Sequence, residues 1–197
     1  SLRLDEKDNF AYHPENLKKL VTKKTKLIVV NSPSNPTGKV LAKKALEEIA
    51  DVAIDKNLMI LSDEAYERLV YDDAKHVSIA SLNGMKEHVI TTQTFSKTFA
   101  MCGFRVGYAA ATEDIISQMK KFKLTTTLSA PTFSQLAAVE ALRNSRKYAE
   151  KMRKEYDRRR KMLIKRLNQM PNISCVEPHG AFYAFPNITG LKMDSNQ

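Results

Sequence analysis

Only two cysteines occur in the 197 residues, Cys102 and Cys175. They are far apart and lack CxxC or CxxH spacing, which removes a disulfide framework and a zinc site from consideration. Both read as packed thiols. No apolar run approaches the ~18 residues that a membrane span needs, and the opening SLRLDEKDNF has neither the basic nor the apolar segment of a secretory leader. The expectation is a cytoplasmic protein with no membrane partner. On that expectation Asn172-Ile173-Ser174 and Asn187-Ile188-Thr189 match the glycosylation pattern by chance. His13, His76, His88 and His179 show no ligand spacing, so no metal is expected. Internal repeats and low-complexity segments are also lacking.

Positive charge is in excess, at a formal +10. Clustered Lys and Arg can neutralise nucleic-acid phosphates, so the distribution matters more than the total. Much of the excess lies between Arg143 and Arg166, interleaved with Met152, Tyr156, Leu163 and Leu167. That pattern is an amphipathic helix with a solvated basic face. No helix-turn-helix, zinc-finger or RNP-like signature accompanies it, and no nucleic acid is expected as partner.

Lys26 to Asn31 is a short β-branched apolar run, as in a buried parallel strand. Leu41, Ala45, Ile49, Val52 and Ala53 follow at helical spacing, and Leu58 to Ser62 completes a βαβ unit. Further strands are expected near His88 to Thr92 and Val106 to Ala110. Helices are expected over Thr112 to Lys123, Pro131 to Leu142 and about Ser145 to Gln169, where Pro171 ends the last. Short strands are expected near Ser174 to Val176 and Ala181 to Phe185, where Phe182 and Tyr183 could face a substrate, although alternating aromatics on a strand are core more often than not. Strands alternating with helices imply an α/β layer architecture, with the long helix bridging to a smaller unit.

In open α/β sheets ligands bind beyond the carboxyl ends of the strands. Those ends carry Asn35, then Asp63 and Tyr66, then Thr94, Ser96 and Lys97, with Arg105 just before the fourth strand. Singly, each has an ordinary structural meaning. An Asn-Pro-Thr-Gly run is usually a turn, an acid after a strand is often a cap, and a loop arginine usually pairs at the surface. Together they match one chemical need: a lysine amine, a carboxylate for a pyridinium nitrogen, donors for a phenolic oxygen, and cationic and hydroxyl groups for a phosphate.

In this order and spacing, Asn35-Pro36-Thr37-Gly38, Ser62-Asp63-Glu64-Ala65-Tyr66, Thr94-Phe95-Ser96-Lys97-Thr98-Phe99 and Gly103-Phe104-Arg105-Val106-Gly107 resemble the class I/II, fold-type I, aspartate aminotransferase-like enzymes that use pyridoxal 5′-phosphate (PLP). Gly180-Ala181-Phe182-Tyr183 is similar to that family's first small-domain strand. The resemblance implies a PLP-transferase major domain, α/β with a mostly parallel sheet and helices on both faces, followed by the start of a small α+β domain. The corresponding boundaries are residues 1–144, a connecting helix over 145–170, and 171–197.

For the site, the resemblance implies that Lys97 attaches the cofactor and moves the substrate proton, and that Asp63 holds the ring nitrogen protonated. It gives Tyr66 and Asn35 the phenolic oxygen, and Arg105, Thr94 and Ser96 the phosphate. Amino-group transfer between an amino acid, aspartate or aromatic as first choice, and a 2-oxo acid follows, in a homodimer. A PLP lyase or synthase of the same fold and a non-catalytic basic regulatory protein are the alternatives. The Asn35–Pro36 peptide is expected to be cis. Family segments before and after this stretch have no counterpart here, so the chain reads as an internal fragment that is catalytically silent by itself.

Overall fold

The computed structural model describes residues 1–192, so the last five positions of the expected small-domain start, 193–197, lie outside the described residues. In chain order the elements are α1 (Pro14–Leu20), β1 (Leu27–Asn31), α2 (Lys43–Asp55), β2 (Met59–Asp63), β3 (Val89–Thr94), β4 (Gly107–Ala110), α3 (Glu113–Thr126), α4 (Thr132–Asn144), α5 (Arg146–Leu167), β5 (Ser174–Cys175) and β6 (Pro186–Asn187). α1 is absent from the sequence reading. Its seven residues, beginning on Pro14, are too few to display a helical period.

The main sheet has the order β1-β2-β3-β4. β1, β2 and β3 are parallel, whereas β4 runs antiparallel to β3. Register aligns Ile28 with Ile60 and Ile60 with Val89, which puts these side chains on one face. α2 covers that face because Leu46, Ile49, Ala50 and Ala53 recur at helical spacing, and Leu17 of α1 joins the same core. Asn57, in the left-handed region at φ 48°, ends the helix and turns the chain into β2. The opposite face carries Val29, 64% exposed, beside Leu61 and Ile90. Among the described residues, then, this chain supplies the helical cover of one face.

The sheet face also decides where polar groups go. Asn31, Asp63 and Thr92 are register partners on the face opposite α2. A one-residue slip would drive Asp63 into the aliphatic core, so the buried α2 face fixes the position of the carboxylate.

The expected strand over Ala181 to Phe185 is not there. Ala181 has φ 58°, and its amide donates to the Leu69 carbonyl at 2.8 Å rather than to a ladder partner. The extended pairing comes later, where Pro186–Asn187 lies antiparallel to Ser174–Cys175. Residues 178–181 are instead held by loops. The Gly38 carbonyl accepts from the His179 and Gly180 amides at 3.2 and 2.8 Å, Tyr71 Oη donates to the Ala181 carbonyl, and Arg160 Nη1 donates to the Pro178 carbonyl at 2.8 Å. The approach of the two loops is close enough to need glycine. A Cβ on Gly38, at φ 67°, would stand 2.2 Å from Pro178 Cβ, and one on Gly180 would stand 2.6 Å from Pro33 Cβ.

Beneath Asp63 lies a buried polar knot. Glu64 is 3% exposed and accepts from Ser62 Oγ at 3.0 Å, Ser78 Oγ at 2.7 Å and His76 Nε2 at 3.0 Å. Burial opposes its charge, but the His76, Ser78 and Ser62 bonds outweigh it and hold the carboxyl below its ordinary 4.5. Glu67, three residues on, shows the reverse: burial dominates and raises it, despite hydrogen bonds from Thr98 Oγ1.

Two outcomes follow. Gly38→Ala forces a Cβ against proline and backbone in a left-handed conformation, and should lower unfolding free energy by about 2–4 kcal/mol in urea titration, the sum of strain and overpacking. An unchanged midpoint would contradict the close approach. Glu64, with a folded pKa below its unfolded one, adds stability above the ordinary carboxylate range and loses it as pH falls through the folded value. The stability advantage of the parent over Glu64→Gln should therefore shrink as urea titrations are repeated from neutral pH to below 4.5. A gap that stays constant or widens would contradict a charged Glu64.

Candidate active site

At the carboxyl edge of the sheet opens a cavity of about 560 Å³ lined by Asn31, Asn35, Asp63, Ala65, Tyr66, Thr92, Gln93, Thr94, Lys97 and Tyr183. Parallel β1, β2 and β3 end there. Because β4 is antiparallel, its beginning lies at the same edge, with Gly107 opposite Thr94. Three strand ends thus deliver polar groups to one place, as the sheet rule anticipates, and Tyr183 joins them from the stretch after α5.

Asn35 is set by the loop after β1. Its amide donates to Asn31 Oδ1 at 2.7 Å, and Asn31 Nδ2 donates to the Asp63 carbonyl at 3.3 Å. Both Ser32–Pro33 and Asn35–Pro36 are cis. Asp63 Oδ1 accepts from the Ala65 amide at 3.2 Å, which starts the turn carrying Tyr66. The Gln93 amide, oriented to donate, spans the Glu64 carbonyl at 3.0 Å and Glu67 Oε2 at 3.2 Å, joining β3 to that turn.

Tyr66 is buried, and its hydroxyl is hydrogen-bonded to that of Tyr183. Burial, the Tyr183 bond and the Asp63 charge push the phenol well above its ordinary 10, so it stays protonated. Thr94 Oγ1 accepts from the Ser96 amide at 3.1 Å and curls the chain after β3. Phe95, packed with Phe99, Met101, Val106, Ala138 and Ala141, anchors the far side of that loop. Lys97 Nζ projects back over the rings of Tyr66 and Phe182, 5.7 and 5.4 Å from their centres. Lys97 forms no ion pair among the described residues. Such ring faces favour a cation without neutralising it.

Asn35, Asp63, Tyr66, Thr94 and Lys97 are thus brought together, while Ser96 and Arg105 are not part of the lining. Ser96 is buried, and its carbonyl accepts from Cys102 Sγ at 3.0 Å. Arg105, exposed and at φ 51°, donates from Nη1 to the Cys102 carbonyl at 2.9 Å. Asn31, Thr92 and Gln93 line the cavity without having been singled out from the sequence, and Tyr183 lines it although the core reading was preferred for it. Asn31 and Thr92 were findable as strand-end residues. For Tyr183 the strand alternation weighted the reading toward core.

An unpaired amine, a carboxylate, a neutral phenol, an amide and a hydroxyl around one cavity are the groups that PLP calls for. Comparison with known proteins agrees. A family model described as aminotransferase class I and II matches residues 1–196. The chain is 55% identical over 190 residues to an aspartate aminotransferase of Pyrococcus abyssi, covering 94% of this chain and 49% of that protein. It is 49% identical over 194 residues to aromatic-amino-acid aminotransferase 2 of Thermococcus litoralis, covering 98% and 50%.

Among solved structures, an aromatic aminotransferase from Pyrococcus horikoshii OT3 superposes with a TM-score of 0.90 at 52% identity, covering 94% of this chain and 50% of that one. An aspartate aminotransferase from Thermus thermophilus with maleate gives 0.91 at 36% identity, covering 95% and 49%. The chain spans about half the length of the curated relatives it matches. The aminotransferases it resembles are PLP enzymes. With the strand-end residues in place and the family model matching over nearly its whole length, this chain belongs to the aminotransferase class I and II family.

Proposed function

We propose that this chain carries the PLP-binding centre of an enzyme that transfers an amino group between an amino acid and a 2-oxo acid. The observation behind the reading is the unpaired Lys97 amine facing a cavity that Asp63 and a protonated Tyr66 also line. Aspartate or an aromatic amino acid is the donor of first choice, since relatives named for each stand at similar identity.

When bound, PLP supplies an electron sink for the pair left on an amino acid's α-carbon when its proton is removed. Asp63 holds a proton on the ring nitrogen through a charge-assisted hydrogen bond. Tyr66, neutral because it is buried, donates to the phenolic oxygen, and the Asn35 side-chain amide donates beside it. Lys97 would hold the cofactor covalently, and its amine, when free, would carry a proton between the substrate α-carbon and cofactor C4′. Thr94, Ser96 and Arg105 take the phosphate. An anionic oxygen is a stronger acceptor for the Arg105 guanidinium than the Cys102 carbonyl it now meets.

In this reading residues 1–144 belong to the large cofactor domain, 145–170 connect, and 171–197 open the small domain, with α5 as the connector. The whole protein is a cytoplasmic homodimer. Support for a partner comes from apolar side chains left in solvent, such as Phe122 at 72% and Phe133 and Leu136 at 67% exposure. No helix among the described residues is long and apolar enough to cross a membrane, and both cysteines are free.

Borohydride reduction of the PLP-loaded full-length protein, followed by peptide mapping, should label Lys97; a label on any other lysine overturns the assignment. Asp63→Asn should lower kcat for half-transamination by about three powers of ten or more, each tenfold being about 1.4 kcal/mol of transition-state stabilisation. A near-normal rate in that variant would remove Asp63 from its role.

A further inference from the structure

Among the described residues Tyr183 is the one cavity-lining side chain from the stretch that follows α5, and the roles assigned above do not include it. Its hydroxyl meets that of Tyr66, 117 positions away in sequence. The two rings stand edge to face, 5.5 Å apart at 79°, and Phe182 presents its own ring to Tyr66 at 5.5 Å and 88°. Delivery is rigid. The Gly38 carbonyl, the Leu69 carbonyl, Tyr71 Oη and Arg160 all hold the backbone of 178–181 directly upstream.

We infer that Tyr183 is a positioning residue for the cofactor, whose hydroxyl donates to Tyr66 and strengthens the hydrogen bond that Tyr66 gives in turn. This rests on the proposed function above. With the cavity free of an anion, either phenol can donate to the other. An anionic oxygen beside Tyr66 fixes the direction, because Tyr66 has a single proton and gives it to the stronger acceptor. Tyr183 must then donate to Tyr66 Oη, and a chain of two hydroxyls polarises so that the terminal donor is stronger than an isolated phenol. The shift of Tyr66 away from ionisation keeps that terminal proton available. Packing alone does not call for the hydroxyl, since phenylalanine at 183 would keep both aromatic contacts.

The test is a pH titration of cofactor absorbance in the full-length, PLP-loaded protein. Stabilising the phenolic anion lowers the pH at which the bound chromophore changes form. Tyr183→Phe should therefore move the midpoint upward by about half a unit to one unit, the size of one net hydrogen bond. In a Tyr66→Phe background the same substitution should move it no further, because the relay is already cut. An equal shift in both backgrounds overturns the inference in favour of a general packing effect. An unmoved midpoint in Tyr183→Phe, with Tyr66→Phe shifted, overturns it as well, as does failure of Tyr183→Phe to load cofactor. Failure of the functional reading is recognised separately: there the absorbance of the parent is unaltered by Lys97→Ala, whatever residue stands at 183.

Discussion

Register between three parallel strands decides where chemistry is available in this chain. Ile28, Ile60 and Val89 are locked side by side under α2, and that alignment leaves Asn31, Asp63 and Thr92 adjacent at the carboxyl edge on the other face. The aliphatic core cannot tolerate a shift by one residue without burying a carboxylate, so apolar contacts on one face specify polar geometry on the other. Turns then extend from that row. The Asp63 carboxylate caps the turn bearing Tyr66, and Thr94 Oγ1 curls the loop bearing Lys97.

Three carboxyls within five residues show how environment separates chemically similar groups. Asp63 faces the cavity and accepts from the Ala65 amide, which leaves it able to meet a ligand. Glu64, on the other side of the same strand end, is consumed by Ser62, Ser78 and His76 and serves to join β2 to the segment after Tyr71. Glu67 is buried with weaker partners and is pushed toward its neutral form, where it can sit beside the Gln93 amide without a full charge to solvate. Only the first of the three lines the cavity; the other two are engaged within the protein around the turn that carries Tyr66.

Much of this was legible before any coordinates. The runs at Lys26–Asn31 and Leu58–Ser62 are short, β-branched and bounded by turn residues, and the strands fall within a residue or two of them. Asn35, Asp63, Tyr66, Thr94 and Lys97 converge because each ends or follows a strand, a rule that sequence order alone can apply. What escaped was long-range. Nothing local at Ala181 announces a left-handed residue whose amide is taken by Leu69, so the sequence weights Phe182 and Tyr183 toward strand core over a substrate-facing wall. The Arg105 side chain likewise took a near carbonyl, a choice no spacing encodes.

The basic helix illustrates the same division between pattern and partner. Its periodicity was visible, but not what its cations do. Arg153 pairs with Glu150 and Arg158 and Arg159 with Glu155, so a good part of the charge is spent within the helix at the spacing that lets side chains meet. Arg160 is different. Its side chain is 5% exposed, flanked by Asp72, Asp157 and Glu177 and lying over the Tyr71 ring. A buried cation with that many acceptors ties α5 to two loops at once, and loss of one partner would strand charge in a dry site. Through the Pro178 carbonyl the same guanidinium holds the segment that ends at Tyr183. The segment that brings Tyr183 to the cavity wall is therefore held in part by an ion-pair cluster on a helix that contributes no residue to the cavity itself.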